Sequence, residues 1–244
     1  MLAKRLETKR IRILHTSDIH LGEDSFRISG RHDDRAVRAL KAVVDLAIRV
    51  ETSLLIVAGD LFDHNRVEDT VVELALQEVF RLSVPVAILP GNHDCLSPDS
   101  VYRRPYFSEA ASHVRVFTAL EGERFSFPEL DLALWGKPID GYGAGLRPMA
   151  GVPPRGRERW HVAVAHGHYV DMALPQMHAL QIGREEIVQS CQDYVALGHC
   201  GPFHCVCDHP VKAYYSGSAS ETGTVAIVDF LDEGVQVRPY PLPL

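Results

Sequence analysis

The sequence predicts an α/β fold: a four-layer α-β-β-α sandwich of two packed mixed sheets with helices outside. Three observations carry that prediction. Short apolar runs alternate with helix-length amphipathic segments through the first half of the chain, and the second half turns to strand-like runs with few helical patterns. The runs of both halves close on clusters of Gly, Asp, Asn and His. Continuous apolar strands separated by helices indicate a largely parallel sheet covered on both faces. A β-rich half that follows adds a second sheet packed on the first.

Taken in order, Ile11–Thr16 is β-prone and ends in Ser17-Asp18; a Gly-containing loop follows, then residues 33–50 repeat apolar side chains at helical spacing. Leu54–Ala58 reads as a fully buried strand closing on Gly59-Asp60, with an amphipathic helix over 68–82 behind it. A third strand, 84–89, closes on Pro90-Gly91. The second half has strand-like runs at 114–117, 132–135, 161–165, 194–197, 213–215 and 225–230. Residues 141–159 are rich in Gly, Pro and Arg and read as a long surface loop, a candidate lid over a site. No internal repeat or low-complexity tract interrupts the chain, so a single domain over 1–244 is expected.

Hydrophobic residues make up 46% of the chain and charged residues 23%, which excludes the disordered and membrane classes. The longest aliphatic run, Leu54–Ala58, falls far short of the roughly 18 residues that cross a bilayer. Lys4, Arg5, Lys9 and Arg10 have no apolar segment behind them, so the N-terminus does not read as a secretory signal. A cytoplasmic protein with no membrane partner is expected. Five unevenly placed cysteines favour free thiols over a disulfide framework. Cys200, His204, Cys205, Cys207 and His209 lie close in sequence but lack the paired C-x₂-C spacing of structural zinc sites.

Lys and Arg number 25 against 32 Asp and Glu, a formal charge of −7, opposite in sign to a typical nucleic-acid surface. Divalent cations would offset part of that acidity wherever carboxylates converge.

Four clusters stand at strand ends: Asp18-Ile19-His20, Gly59-Asp60-Leu61-Phe62-Asp63, Gly91-Asn92-His93-Asp94, and the pair His166 and Gly198-His199. In open α/β sheets, ligands bind just beyond the carboxyl ends of the strands. Asp-x-His arises readily by chance in a chain with 13 histidines, but Gly-Asn-His-Asp uses one of only two asparagines and is the most informative of the four. Carboxylates and imidazoles hold Mn, Fe or Zn, and the two oxygens of a carboxylate let it bridge two ions. Two ions roughly 3.5–4 Å apart activate a water and clamp both the attacking and leaving oxygens of an in-line displacement. Phosphoester hydrolysis is the reaction that such a donor set suits.

The order D-x-H, G-D-x-x-D, G-N-H-D, H, G-H resembles the calcineurin-like metallophosphoesterase superfamily from Ile11 to about His204. The opening HTSDIHLG and the run at 193–199 are most similar to its DNA-repair exonuclease, SbcD-like branch. The resemblance implies the metallophosphoesterase-like fold and two divalent metal ions, Mn foremost, with Fe or Zn as alternatives. Carried over residue by residue, it places Asp18, His20 and a bridging Asp60 on one ion, and Asp60, Asn92, His166 and His199 on the other. His93 becomes the general acid. Asp94, with Asp63, becomes a partner that orients the catalytic groups. His166 competes with His168, two residues on, and the family register favours His166.

One position departs from the pattern. The family ends in G-H-x-H, whereas this chain reads Gly198-His199-Cys200-Gly201, which leaves the first ion one ligand short. His204 is the candidate replacement, with Cys200 or a water as alternatives. His168, Arg31 and Arg103 are candidate contacts to substrate phosphate, together with His32 and Arg104, although solvated surface charge is the commoner role for such arginines.

The expected function is therefore metal-dependent hydrolysis of phosphoester bonds, phosphodiesters foremost, in a small or nucleotide-like substrate. A DNA exonuclease or endonuclease is the second reading. Nucleases of that branch carry a capping domain and a partner-binding region, and few residues follow Val225, so length and negative charge both count against nucleic acid. A non-catalytic binding module with the same fold is the third, supported by the missing histidine and opposed by the presence of His93. A homodimer is compatible with all three.

Overall fold

The computed structural model describes residues 10–22, 35–109, 112–141, 143, 145–171 and 180–244. Arg31 and His32 lie outside the described residues. In chain order the elements begin β1 (Ile11–Thr16), α1 (Arg35–Arg49), β2 (Leu54–Ala58), α2 (Asp69–Val79), β3 (Val86–Leu89), α3 (Pro105–Ser108) and β4 (Val114–Val116). They continue with β5 (Glu123–Phe127), β6 (Leu132–Gly136), β7 (Trp160–His166), β8 (His168–Val170), β9 (Gln181–Gly183) and α4 (Arg184–Gln189). The last are β10 (Tyr194–Gly198), β11 (His204–Cys207), β12 (Lys212–Tyr215), β13 (Thr224–Leu231) and β14 (Gly234–Pro241).

Two six-stranded sheets result, ordered β14-β13-β1-β2-β3-β4 and β11-β12-β10-β7-β6-β5. β1 to β4 run parallel and β13 joins β1 antiparallel; in the second sheet β6, β7, β10 and β12 run parallel between antiparallel edges β5 and β11. Both sheets are mixed, as expected.

The central strands β2 and β3 are apolar throughout because each face of the first sheet is buried by a different layer. Side chains alternate across a strand, so Leu55 and Val57 of β2 join the core under α1 and α2, while Leu54, Ile56 and Ala58 face the second sheet. There they meet Leu132, Leu134, Val162, Val164, Tyr194 and Ala196. Helices thus cover one face of the first sheet and the second sheet covers the other.

The fourth layer is thin in helix. Against the outer face of the second sheet pack Ile187 of α4, Ile182 of β9 and Met149, with Val152 against its margin. Met149 and Val152 belong to the Gly/Pro-rich stretch 141–159, which cannot continue a helix. Its far end is pinned by Arg155 on Asp193 at 2.8 Å and by the Ser126 hydroxyl on Glu158 at 2.8 Å. The described part of this stretch is the crossover from β6 to β7: Met149 and Val152 lie along the outer face, while Leu146 packs against the cluster of Cys95, Ile139 and Leu180. Among the described residues no helix is long and apolar enough to cross a membrane.

Candidate metal centre

Parallel registers deliver the site. Thr16 pairs with Val57 and Ala58 with Leu89, so the turns after β1, β2 and β3 leave the sheet side by side. Gly198 pairs with His166, which puts His199 beside the end of β7. The turns after β1 and β2 are then zipped by backbone bonds: Asp18 N donates to Gly59 O at 3.1 Å, Ile19 N to Asp60 O at 2.8 Å and Leu21 N to Leu61 O at 2.9 Å. Asp18, His20, Asp60 and His199 all hold positive φ, a conformation uncommon for side-chain-bearing residues and frequent where function fixes the backbone. Gly59 also sits at φ +94°, and a Cβ there would collide with the His166 imidazole.

Three donor groups gather, each with its atoms within 4.8 Å of one another: Asp18, His20 and Asp60; Asp60, His166 and His199; and His20, Asp63 and His93. Asn92 joins the second, its Oδ1 lying 2.8 Å from His166 Nε2 and 2.8 Å from His199 Nδ1. His166 is the buried histidine of its pair, whereas His168 is exposed with its Nε2 2.7 Å from that of His199. Asp60 reaches His166 Nε2 through Oδ2 at 3.2 Å and accepts from His93 N through Oδ1 at 2.9 Å. Asp18 Oδ2 accepts from His199 N at 3.0 Å.

The donor chemistry fits a divalent cation. His166 Nδ1 lies 2.9 Å from the Ala58 carbonyl, which can only accept, so Nδ1 carries the proton and Nε2 points a lone pair inward. Nε2 then faces a carboxylate oxygen and an amide oxygen, an arrangement that requires positive charge between them. In the metal-free chain a proton answers that requirement. Burial pushes the His166 pKa down, yet the Asp60 charge and bond and the Asp18 charge outweigh it and carry it up to about 9. Burial would likewise raise Asp60, but the His166 charge and bond hold it below the usual carboxylate range. Burial drives His199 down to about 3, helped by its histidine neighbours, and leaves it neutral as a ligand must be.

His93 stands at the mouth, its side chain 42% exposed. Its Nδ1 is 2.8 Å from the Asp63 carbonyl and 3.3 Å from Asp63 Oδ1, which fixes the ring through that nitrogen. Burial lowers its pKa, but Asp60 and Asp63 outweigh that and raise it above the free-histidine value.

The remaining expected residues fall elsewhere. Asp94 is wholly buried and its carboxylate accepts from Gly91 N at 2.7 Å, Phe62 N at 3.0 Å and Tyr102 Oη at 2.6 Å. Burial, reinforced by the Asp60 charge, pushes it up to about 6. It ties the turns after β2 and β3 together and so positions Asn92 and His93 without reaching the open face. His204 opens β11 opposite Tyr215, whose ring lies on the outer side of the sheet, and belongs to none of the three donor groups. Directly opposed side chains share a face, so His204 is turned toward the outer side as well. Arg103 folds back onto the Ser97 carbonyl at 3.1 Å, and Arg104 pairs with Asp69 at 2.9 Å. Neither arginine is held toward the donor groups.

Other residues shape the site without having been singled out. Tyr102 closes over Asp94; Asn65 donates to Cys95 O at 2.8 Å and accepts from Val101 N at 3.0 Å. Ser218 and Ser220 donate to the Asp18 carbonyl at 2.8 and 3.1 Å. Asn65 as the other of two asparagines, and the small polar run 216–220 at a strand end, were the legible signals.

Comparison with known proteins agrees with this geometry. The family model described as calcineurin-like phosphoesterase matches residues 11–234. The DNA double-strand break repair protein Mre11 of Saccharolobus solfataricus is 32% identical over 87 residues, which is 34% of this chain and 23% of that protein. The metallophosphoesterase YhaO of Bacillus subtilis is 26% identical over 231 residues, 82% of this chain and 51% of YhaO. The chain thus spans about half or less of the length of these relatives. Among solved structures, TT1561 of Thermus thermophilus superposes with a TM-score of 0.62 at 12% identity, covering 94% of this chain and 99% of that one. A dimetal phosphatase from Danio rerio gives 0.55 at 12% identity, covering 95% and 99%. Two mixed sheets, the donor groups at their strand ends and a family model spanning nearly every described element agree: the chain belongs to the calcineurin-like phosphoesterase family, whose members are metal-dependent phosphoester hydrolases.

Proposed function

We propose that this chain hydrolyses phosphodiester bonds in a small or nucleotide-like substrate, at a centre of two divalent ions bridged by Asp60. The observation that carries this reading is the place of Asp60 in two donor groups at once. Asp18 and His20 would hold one ion with Asp60, and Asn92, His166 and His199 the other. Mn²⁺ suits a set that mixes carboxylate, imidazole and amide oxygen. When bound, such a pair supplies Lewis acidity toward the phosphoryl oxygens and an activated water.

The protein's own groups do the rest. Asp94 and the zipped turns hold the donors before substrate arrives. His93, oriented through Nδ1 by Asp63, presents Nε2 to the leaving oxygen and protonates it. His168, in contact with His199 at the open side, is placed to meet a phosphate oxygen of the substrate.

The test is an assay of the purified chain with Mn²⁺ on bis-p-nitrophenyl phosphate, p-nitrophenyl phosphate, and single- and double-stranded DNA. Diester turnover with little action on DNA is expected, and absence of turnover on every ester would favour a binding module. The second reading, a nuclease, is favoured by the DNA-repair relatives and would be established by DNA cleavage that exceeds turnover of the small diester.

A further inference from the structure

The two donor groups that share Asp60 are unequal. Asn92 makes a fourth donor beside Asp60, His166 and His199, whereas Asp18, His20 and Asp60 form a group of three. Gly201 brings no side chain to the neighbouring turn, and a loop from the end of β12 occupies the space instead. Ser218 N and Thr222 Oγ1 donate to the Gly201 carbonyl at 2.7 and 2.9 Å. The same loop is fastened to the β1 turn, with Ala219 N on Ser17 O at 3.2 Å and the Ser218 and Ser220 hydroxyls on Asp18 O. One short segment therefore grips both the turn that carries a first-group donor and the turn that lacks one.

Glu221 rides on this segment. Its N–H is held by Ser218 Oγ at 3.0 Å and its carbonyl by Arg35 at 2.9 Å, so its backbone is fixed while its side chain is exposed. Its Oε2 lies 3.3 Å from where a Cβ on Gly201 would stand. The carboxylate thus fills the space that a side chain at position 201 would enter.

We infer that Glu221 supplies the fourth ligand of the first ion, its carboxylate turning about its own side-chain torsions from above Gly201 onto the ion held by Asp18, His20 and Asp60. This rests on the two-ion reading proposed above. A hard carboxylate oxygen suits Mn²⁺ and restores the four-donor balance between the two ions. It also explains why the chain tolerates glycine at 201 without recruiting His204, which the β11–β12 register turns toward the outer face.

The experiment counts metal directly. The full chain is saturated with MnCl₂, bound ions are counted by mass spectrometry, affinities are taken from calorimetry, and spin coupling is read by electron paramagnetic resonance. Wild type is expected to bind two Mn²⁺ with a coupled spectrum. E221Q keeps one ion at unchanged affinity, binds the other about 100-fold more weakly, at the upper end of the loss that even indirect metal partners produce, and loses the coupling. E221Q combined with G201H regains both ions: position 201 has no positive φ, and beyond Glu221 a Cβ there meets only Thr222 Cγ2 at 3.7 Å. H204A leaves both sites as in wild type, and the melting temperature of metal-free E221Q matches wild type. Two tightly bound, coupled ions in E221Q would overturn the role of Glu221 and leave the two-ion reading intact. Fewer than two ions in the saturated wild type would overturn both.

Discussion

In the proposed reaction two requirements would meet at His93: the ring is oriented, and its far nitrogen stays open to the substrate. Asp63 meets the first through its carbonyl and carboxylate, and the 42% exposure of the side chain meets the second. Replacing His93 by Ala is expected to lower kcat by about 10²–10⁴ while the Mn²⁺ count stays unchanged, checked by diester assay beside metal analysis. His15 makes a contrasting case. It is fully buried, with Nδ1 2.8 Å from Tyr194 Oη, and burial pushes its pKa down to about 3. The folded imidazole stays neutral while the unfolded one protonates below about 6.5. Its contribution is therefore intact above that pH and is lost as pH falls toward 3, at up to roughly 1.4 kcal/mol per unit. Metal-free H15Q should lose melting temperature less steeply than wild type between pH 6.5 and 4.5; parallel curves would assign the acid sensitivity to other groups.

The strand ends make the case at the scale of elements. Local patterns located β1 and β2 to the residue, because an apolar run stopping at a polar turn is a property of neighbouring residues. Asp18, Asp60, Asn92 and His199 were legible as candidates for the same reason, whereas His166 was chosen over His168 on the family register. β5 alternates polar and apolar on an edge, and β14 carries two prolines, so neither announces itself as a buried strand. Asn65, Tyr102, Ser218 and Ser220 act through bonds to distant parts of the chain, which no local pattern encodes. One of these turns is tightly held at Gly59. G59A would force a side chain into φ +94° and against His166, with an expected loss of roughly 2–4 kcal/mol in chemical denaturation and weakened Mn²⁺ binding in calorimetry.

For the molecule as a whole, the interface between the sheets is a continuous apolar layer, with Leu54 and Ile56 on one side and Leu134, Val164 and Ala196 on the other. L134A should cost about 2–5 kcal/mol by cavity formation, measured by denaturant titration. Metal acts on the same equilibrium: Mn²⁺ at about 100 times its Kd adds about 2.7 kcal/mol if only the folded chain binds it, so chelation should lower the melting temperature. The thin helical cover of the second sheet also has a sequence cause, since the Gly/Pro-rich stretch 141–159 excludes helix even though its outer-face position calls for one.

The bond from His166 on β7 to the Ala58 carbonyl on β2 crosses from one sheet to the other. Asp18, Asp60 and Asn92 are made before the second sheet, and His166 and His199 arrive with it. The donor group of Asp60, Asn92, His166 and His199 is therefore complete only once the two layers have docked. On the proposed ligand set, the ion held by that group would bind only to a chain whose two sheets are aligned, whereas the group of Asp18, His20 and Asp60 lies wholly on the turns after β1 and β2.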